Sequence, residues 1–235
     1  MAVAPLTPPL ATTPAAEPDW IRDHPVVQKA LEFLGTAVAF SLRPAAFTRE
    51  WLDGTRQATN PLSLIAASLT LVATLRVSLG AGQAESGPAT GWWGTLAGTA
   101  VPYLYSMWIG LLIHAFSGGF RRDRPRLRTT VALMLFASGG PLTLGRMLVE
   151  GTAAAFRAFG APVMVHDGLL GITADQHPVA RGVTLAIAAL ATLFCLRAVV
   201  ISVAVAHRMR AWVVALATVA AITVGDEVYG FVTRR

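Results

Sequence analysis

Long apolar runs alternate with short polar breaks along this chain, and five runs approach the ~20 residues that a helix needs to cross ~30 Å of hydrocarbon. They cover 61–79, 94–116, 129–148, 179–206 and 211–232. Trp92 and Trp93 precede the second run, where headgroup-level aromatics commonly anchor a span. The fourth run is the longest and is expected to tilt or to emerge from the bilayer. The fifth is apolar only to Gly225 and must take in 226–232, including Asp226 and Glu227, to reach the required length. Upstream, the period changes. Over 26–42, Val27, Ala30, Leu31, Leu34 and Val38 recur at helical spacing and Phe33, Ala37 and Phe40 widen the stripe, with Gln28, Lys29, Glu32 and Thr36 opposite. That is an amphipathic helix. Arg43 followed by Pro44 ends it, because the residue before proline disfavours helical backbone. A second short helix over 45–56 places Phe47, Trp51 and Leu52 among Arg49, Glu50 and Asp53.

The expected architecture is therefore all-α: an integral membrane bundle of five transmembrane helices over 61–235, preceded over 20–60 by amphipathic helices in the membrane interface. Residues 1–19 hold five prolines with several Ala and Thr and no apolar period, so a disordered Pro/Ala-rich tail is expected there. They show neither the basic n-region nor the apolar core of a signal peptide.

Composition narrows the class. Hydrophobic residues make up 54% and charged residues 14% of the 235, and mean hydropathy is +0.56. Charged residues in soluble domains run near 25%, so a soluble enzyme, a disordered chain and a disulfide scaffold are all excluded. A single cysteine, Cys195, forbids an intrachain disulfide and any cysteine-based metal site; within an apolar run it reads as a packing residue. Lys29 is the only lysine, and the Arg and Ala bias is that of a GC-rich bacterial genome.

The net charge of +6 is explained by topology rather than by nucleic acid. Arg22, Lys29, Arg43, Arg49 and Arg56 precede the first run. Arg121, Arg122, Arg124, Arg126 and Arg128 separate the second and third, and Arg208 and Arg210 the fourth and fifth. In a five-span path these twelve share one side, against four (Arg157, Arg181, Arg234, Arg235) on the other. The positive-inside rule then predicts a bacterial inner-membrane protein with a cytoplasmic N-terminus and an outside C-terminus.

Charges inside spans are costly, so they are the sharpest chemical clues. Arg76, Arg146, Glu150, Arg197, Asp226 and Glu227 fall within or at the ends of the spans. Arg146 and Glu150 are one helical turn apart. The expected arrangement is a paired intramembrane network, Arg197 reaching Asp226, Arg146 reaching Glu150, and Arg76 snorkelling outward; an ion, proton or anionic-substrate site is the alternative. Gly139, Gly140 and Pro141 lie mid-span, where a kink or break is expected, and Pro102 should bend the second span. His114, near the end of that span, reads as a packed histidine, and Tyr103, Tyr105 and Trp108 as interface anchors. A short separate helix is expected near 151–159. His166, Asp167, Asp175 and His177 in the following loop match no ligand spacing, so a solvated loop and no metal are expected. Phosphate-binding, dinucleotide, nucleophile-elbow, zincin and prenyl-diphosphate motifs are all missing, so neither catalysis nor a cofactor is expected.

Several short motifs recur in one known layout: Arg43 with Pro44 ending an amphipathic stretch, Asn60-Pro61-Leu62 opening a span, Gly118-Gly119-Phe120 turning into a basic loop, Leu127-Arg128 leading into a helix interrupted at Gly140-Pro141. Over about 40–225 this resembles the bacterial branch of the Yip family, five-span proteins named for Rab-type GTPase interaction in eukaryotes. The resemblance implies five helices, a cytoplasmic N-terminus and no catalytic residues. The acidic-Leu-aromatic-Gly-Pro signature of eukaryotic members is missing here, so it implies no GTPase partner. The functional expectation is a non-enzymatic scaffold or accessory subunit whose partners are the bilayer and other membrane subunits. A small transporter or channel component using the Arg/carboxylate cluster is the alternative.

Overall fold

A computed structural model describes residues 24–79, 91–118, 127–160, 164–165, 172–173 and 178–233. The expected tail over 1–19, the bases Arg121, Arg122, Arg124 and Arg126, and the loop residues His166, Asp167, Asp175 and His177 lie outside this set. The described chain is almost entirely helical: α1 (Pro25–Leu42), α2 (Pro44–Leu52), α3 (Pro61–Ser78), α4 (Gly91–Phe116), α5 (Leu127–Ala137), a π-helical turn (Ser138–Leu142), α6 (Thr143–Ala158), α7 (Pro178–Ala206) and α8 (Ala211–Thr233). Strands β1 (Met164–Val165) and β2 (Ile172–Thr173) form one short antiparallel pair, Met164 opposite Thr173.

Proline starts α1, α2, α3 and α7. Its fixed φ suits the first turn, and its missing N–H is no loss where that group has no helical acceptor. Arg43 sits at φ −128°, ψ 57°, outside helical space, and so separates α1 from α2. Asn60 caps α3, its Oδ1 accepting the Leu62 N–H at 2.9 Å.

Four helical stretches are long and apolar enough to cross a membrane: Pro61–Ser78, Gly98–Phe116, Leu127–Ala158 and Pro178–His207. This is the pattern of a multi-pass membrane protein. The third is the axis of the bundle, with 72% of its most apolar window buried against 28%, 39% and 28% for the other three. It joins α5, the π turn and α6 in a continuous rod of 32 residues. The separate helix expected near 151–159 is the end of this rod.

The expected break at Gly139, Gly140 and Pro141 is instead a widened turn inside that rod. Pro141 has no N–H to donate to Ala137, four residues back. The helix absorbs the missing bond locally. The Thr143 hydroxyl donates to the Ser138 carbonyl at 2.9 Å, and the Cys195 thiol points at the Ala137 carbonyl from 3.9 Å. The two glycines admit neighbours on two sides. A Cβ on Gly139 would lie 2.7 Å from Leu64, and one on Gly140 would lie 3.2 Å from the Ala37 carbonyl. Ser68 donates to the Gly139 carbonyl at 3.0 Å. Close backbone approach through small residues is how helices associate in lipid.

The N-terminal helices are part of this packing. Helix α1 buries Phe33, Thr36, Ala37, Phe40 and Ser41, whereas Leu31, Leu34 and Val38 of the expected apolar stripe are exposed. Thr36, on the expected polar side, is buried and bonded to Thr59. The buried face is chosen by the glycine notch of the rod, which accepts Ala37, rather than by α1's own greatest apolarity. Phe40, Phe47, Trp51 and Phe136 form an aromatic cluster with centroids 5.1–5.8 Å apart, tying α1 and α2 to the rod.

Candidate functional site

Polar chemistry inside the bundle is concentrated on the rod. Along its contact with α4, His114 meets Thr130, Gly110 meets Met134, the Ser106 and Ser138 hydroxyls bond to each other, and Tyr103 meets Thr143. On α4 the steps are four, four and three residues; on the rod they are four, four and five. The five-residue step spans the π turn. Without it, Thr143 would rotate off the line and the Tyr103 hydroxyl, 2.9 Å from the threonine oxygen, would lose its partner.

At the end of the bundle that carries Arg128, Arg208 and Arg210, one hydroxyl joins two imidazoles. His114 Nδ1 lies 2.9 Å and His207 Nε2 2.8 Å from Thr130 Oγ1, and all three residues are buried. A threonine hydroxyl has one proton. It donates to one ring nitrogen and accepts an N–H from the other, so a single hydroxyl serves both imidazoles.

Toward the opposite end the rod carries the most buried charges. Arg76 is 1% exposed, Arg146 5% and Glu150 0%. Arg76 Nε lies 3.2 Å from Glu150 Oε1, while Arg146 lies one turn before Glu150 on α6. Arg76 therefore does not snorkel outward as expected: it is the fourth member of a buried stripe, Leu64, Ser68, Val72 and Arg76, that faces the rod at four-residue spacing. The same register that sets Leu64 and Ser68 on Gly139 delivers the guanidinium to Glu150.

The expected Arg197–Asp226 pair does not form. Asp226 accepts the Tyr105 hydroxyl from α4. Arg197 is exposed, and its guanidinium lies 5.9 Å from the Phe194 ring centroid. Glu227 is exposed on α8. So Arg76, Arg146 and Glu150 are brought together, and Arg197, Asp226 and Glu227 stay apart from them. Sequence reasoning missed four participants. Tyr103 and Tyr105, expected as interface anchors, bond to Thr143 and Asp226, His207 and Thr130 carry no motif, and the signal for the last two is a histidine near each of two adjacent helix ends.

Outside the spans, a cleft of about 410 Å³ is lined by Glu32, Gly35, Thr36, Arg56, Gln57, Ala58 and Thr59. Arg56 on its wall is held by Glu50 at 2.6 Å and stacks 4.9 Å from the Phe47 centroid. No cluster of three or more His, Cys, Asp or Glu able to hold a metal occurs among the described residues. Scans against protein-family models, curated proteins and solved structures return no match.

Proposed function

We propose that this chain is a non-enzymatic five-span scaffold or accessory subunit of a larger complex in a bacterial inner membrane, with its N-terminus in the cytoplasm and α8 as the fifth span. The loop-charge asymmetry supports the orientation. The layout shared with bacterial Yip-type proteins supports the span count. On this reading α1 and α2 enter from the cytoplasmic side and pack into the glycine notch part-way along the rod.

The observation that carries the reading is Arg197. It is exposed on α7, ten residues before His207 and nineteen after Pro178, which is ~15 Å and ~28 Å at the helical rise. Helical side chains lean toward their own N-terminus. For α7 that direction is away from the nearer end, and Phe194, over which the guanidinium stacks, lies on that side. The charge cannot snorkel to the nearer headgroups. A mid-span arginine costs ~3 kcal/mol on insertion scales, and a neighbouring membrane chain that meets it removes the cost. Extraction in a mild detergent should release the protein with stoichiometric membrane partners. Isolation as a lone monomer from native membrane would overturn the reading.

A transporter component is the second reading, favoured by the buried Arg76, Arg146 and Glu150. It predicts flux through proteoliposomes of the wild-type protein, altered in rate or selectivity by Glu150→Asp, which keeps the buried carboxylate charge; proteoliposomes without flux would overturn it.

A further inference from the structure

We infer that the neighbour of Arg197 is a second copy of this chain, which presents Glu227 of its α8. The inference rests on the five-span reading above and names the partner of the same exposed face.

Both signs of charge lie on outward faces of adjacent helices. Arg197 closes a stripe of α7 that includes Leu190, Leu193 and Phe194, all exposed. Glu227 closes a stripe of α8 with Leu216, Val219 and Val224, also exposed. Among the described residues, neither charge makes an ion pair within its own chain. The carboxylate beside Glu227, Asp226, is already held by Tyr105.

The depths of the two charges match once side-chain direction is counted. Arg197 lies ten residues, ~15 Å, from His207, which follows α7 at its cytoplasmic end, and Glu227 sixteen residues, ~24 Å, from the cytoplasmic end of α8. The Cα atoms thus differ by ~9 Å in depth. The helices are antiparallel and each side chain leans toward its own N-terminus, so the long arginine reaches outward and the glutamate reaches inward. The lean closes the gap from both sides. Both stripes lie on the outer surface of neighbouring helices, so a twofold axis normal to the membrane sets each Arg197 against Glu227 of the second copy, and symmetry makes two such pairs. A free phosphate or a lipid headgroup does not reach this depth, whereas a carboxylate on a second helix does.

The test is a charge swap on the full-length protein in nanodiscs and mild detergent, read by multi-angle light scattering and by co-purification of differently tagged copies. Wild type should be dimeric. R197E and E227R should each weaken the dimer on the order of 30-fold or more, the factor that corresponds to ~2 kcal/mol for a broken buried charge pair. The double variant R197E/E227R should restore it. Co-expressed R197E and E227R should also capture each other, because every cross-chain contact then joins opposite signs. That arm separates loss of pairing from loss of folding, since two misfolded chains do not rescue each other. If either single variant fails to insert, the neutral pair R197Q and E227Q replaces it, each again expected to weaken the dimer. A monomeric wild type, single variants as dimeric as wild type, or a swap without rescue would overturn the inference. If R197E instead releases a different membrane protein and the swap does nothing, the second copy is excluded while the accessory-subunit reading stands. If the swap succeeds and no other chain co-purifies, the dimer stands and the hetero-subunit reading falls.

Discussion

Arg76 and Arg197 are the same residue type in similar apolar runs, yet the molecule treats them oppositely. Arg76 is fully buried and meets Glu150 at 3.2 Å. Arg197 is exposed, with its guanidinium over the ring of Phe194. The first is a structural charge: its desolvation has been offset inside the chain by a carboxylate on the rod. The second is an assembly charge, whose desolvation is offset only when another helix arrives. A guanidinium in a span is therefore a statement about a partner, and burial says whether that partner is in the same chain.

The comparison is broken most strongly at Glu150. Glu150→Gln leaves Arg76 buried opposite a neutral amide, and ~3–5 kcal/mol of stability should be lost, as for a buried pair deprived of one member. Thermal unfolding in detergent measures it. The control is Arg76→Met, Arg146→Met and Glu150→Met together, which should recover much of that loss, since apolar replacement of a whole buried charged cluster is often close to neutral. If the triple variant is as unstable as the single one, the cluster is not the unit that matters.

A neutral polar contact should cost less. Thr130→Val keeps the shape and removes the hydroxyl that serves both His114 Nδ1 and His207 Nε2. Stability should fall by ~1–3 kcal/mol, the cost of leaving buried polar groups short of a partner. The smallest effect belongs to Arg197. Arg197→Leu should change the unfolding of the isolated chain by no more than ~0.5 kcal/mol, the usual range for a surface site, while removing the assembly that wild type forms. A large loss of monomer stability in that variant would make Arg197 structural and erase the contrast with Arg76.

Much of the fold was legible because its signals are local. Proline at a helix start acts through its own φ and its missing N–H, so the starts at Pro25, Pro44, Pro61 and Pro178 follow from single positions. The apolar runs give the spans, because hydrocarbon thickness sets a length that can be counted. The face that α1 turns to the rod has an equally plain cause: the glycine notch at Gly139 and Gly140 admits the small Ala37, and Leu31, Leu34 and Val38 stay exposed. In lipid an exposed leucine costs little, so apolarity no longer marks the inside.

The same physics limited the reading of the site. Helix α3 is apolar on every side, and nothing along it marks the stripe of Leu64, Ser68, Val72 and Arg76 as the one that faces the rod. The i,i+4 rule pointed from Arg146 to Glu150 because it sees one helix at a time; it gives no sign of Arg76, 74 residues away on another helix and 3.2 Å from the same carboxylate. The π turn was equally out of reach. Pro141 announces a lost hydrogen bond, but whether the helix kinks, breaks or widens depends on Thr143, Cys195 and Ser68 being at hand to take up the backbone groups.

The order of residues alone therefore determined the helices, their starts and the runs that suit a membrane, since these depend on side chains a turn or less apart and on the thickness of lipid. Only the folded bundle decided which arginine is neutralised within the chain and which faces outward, because a charge in an apolar medium is governed by what lies within a few ångströms of it, and those neighbours come from helices that the sequence does not pair.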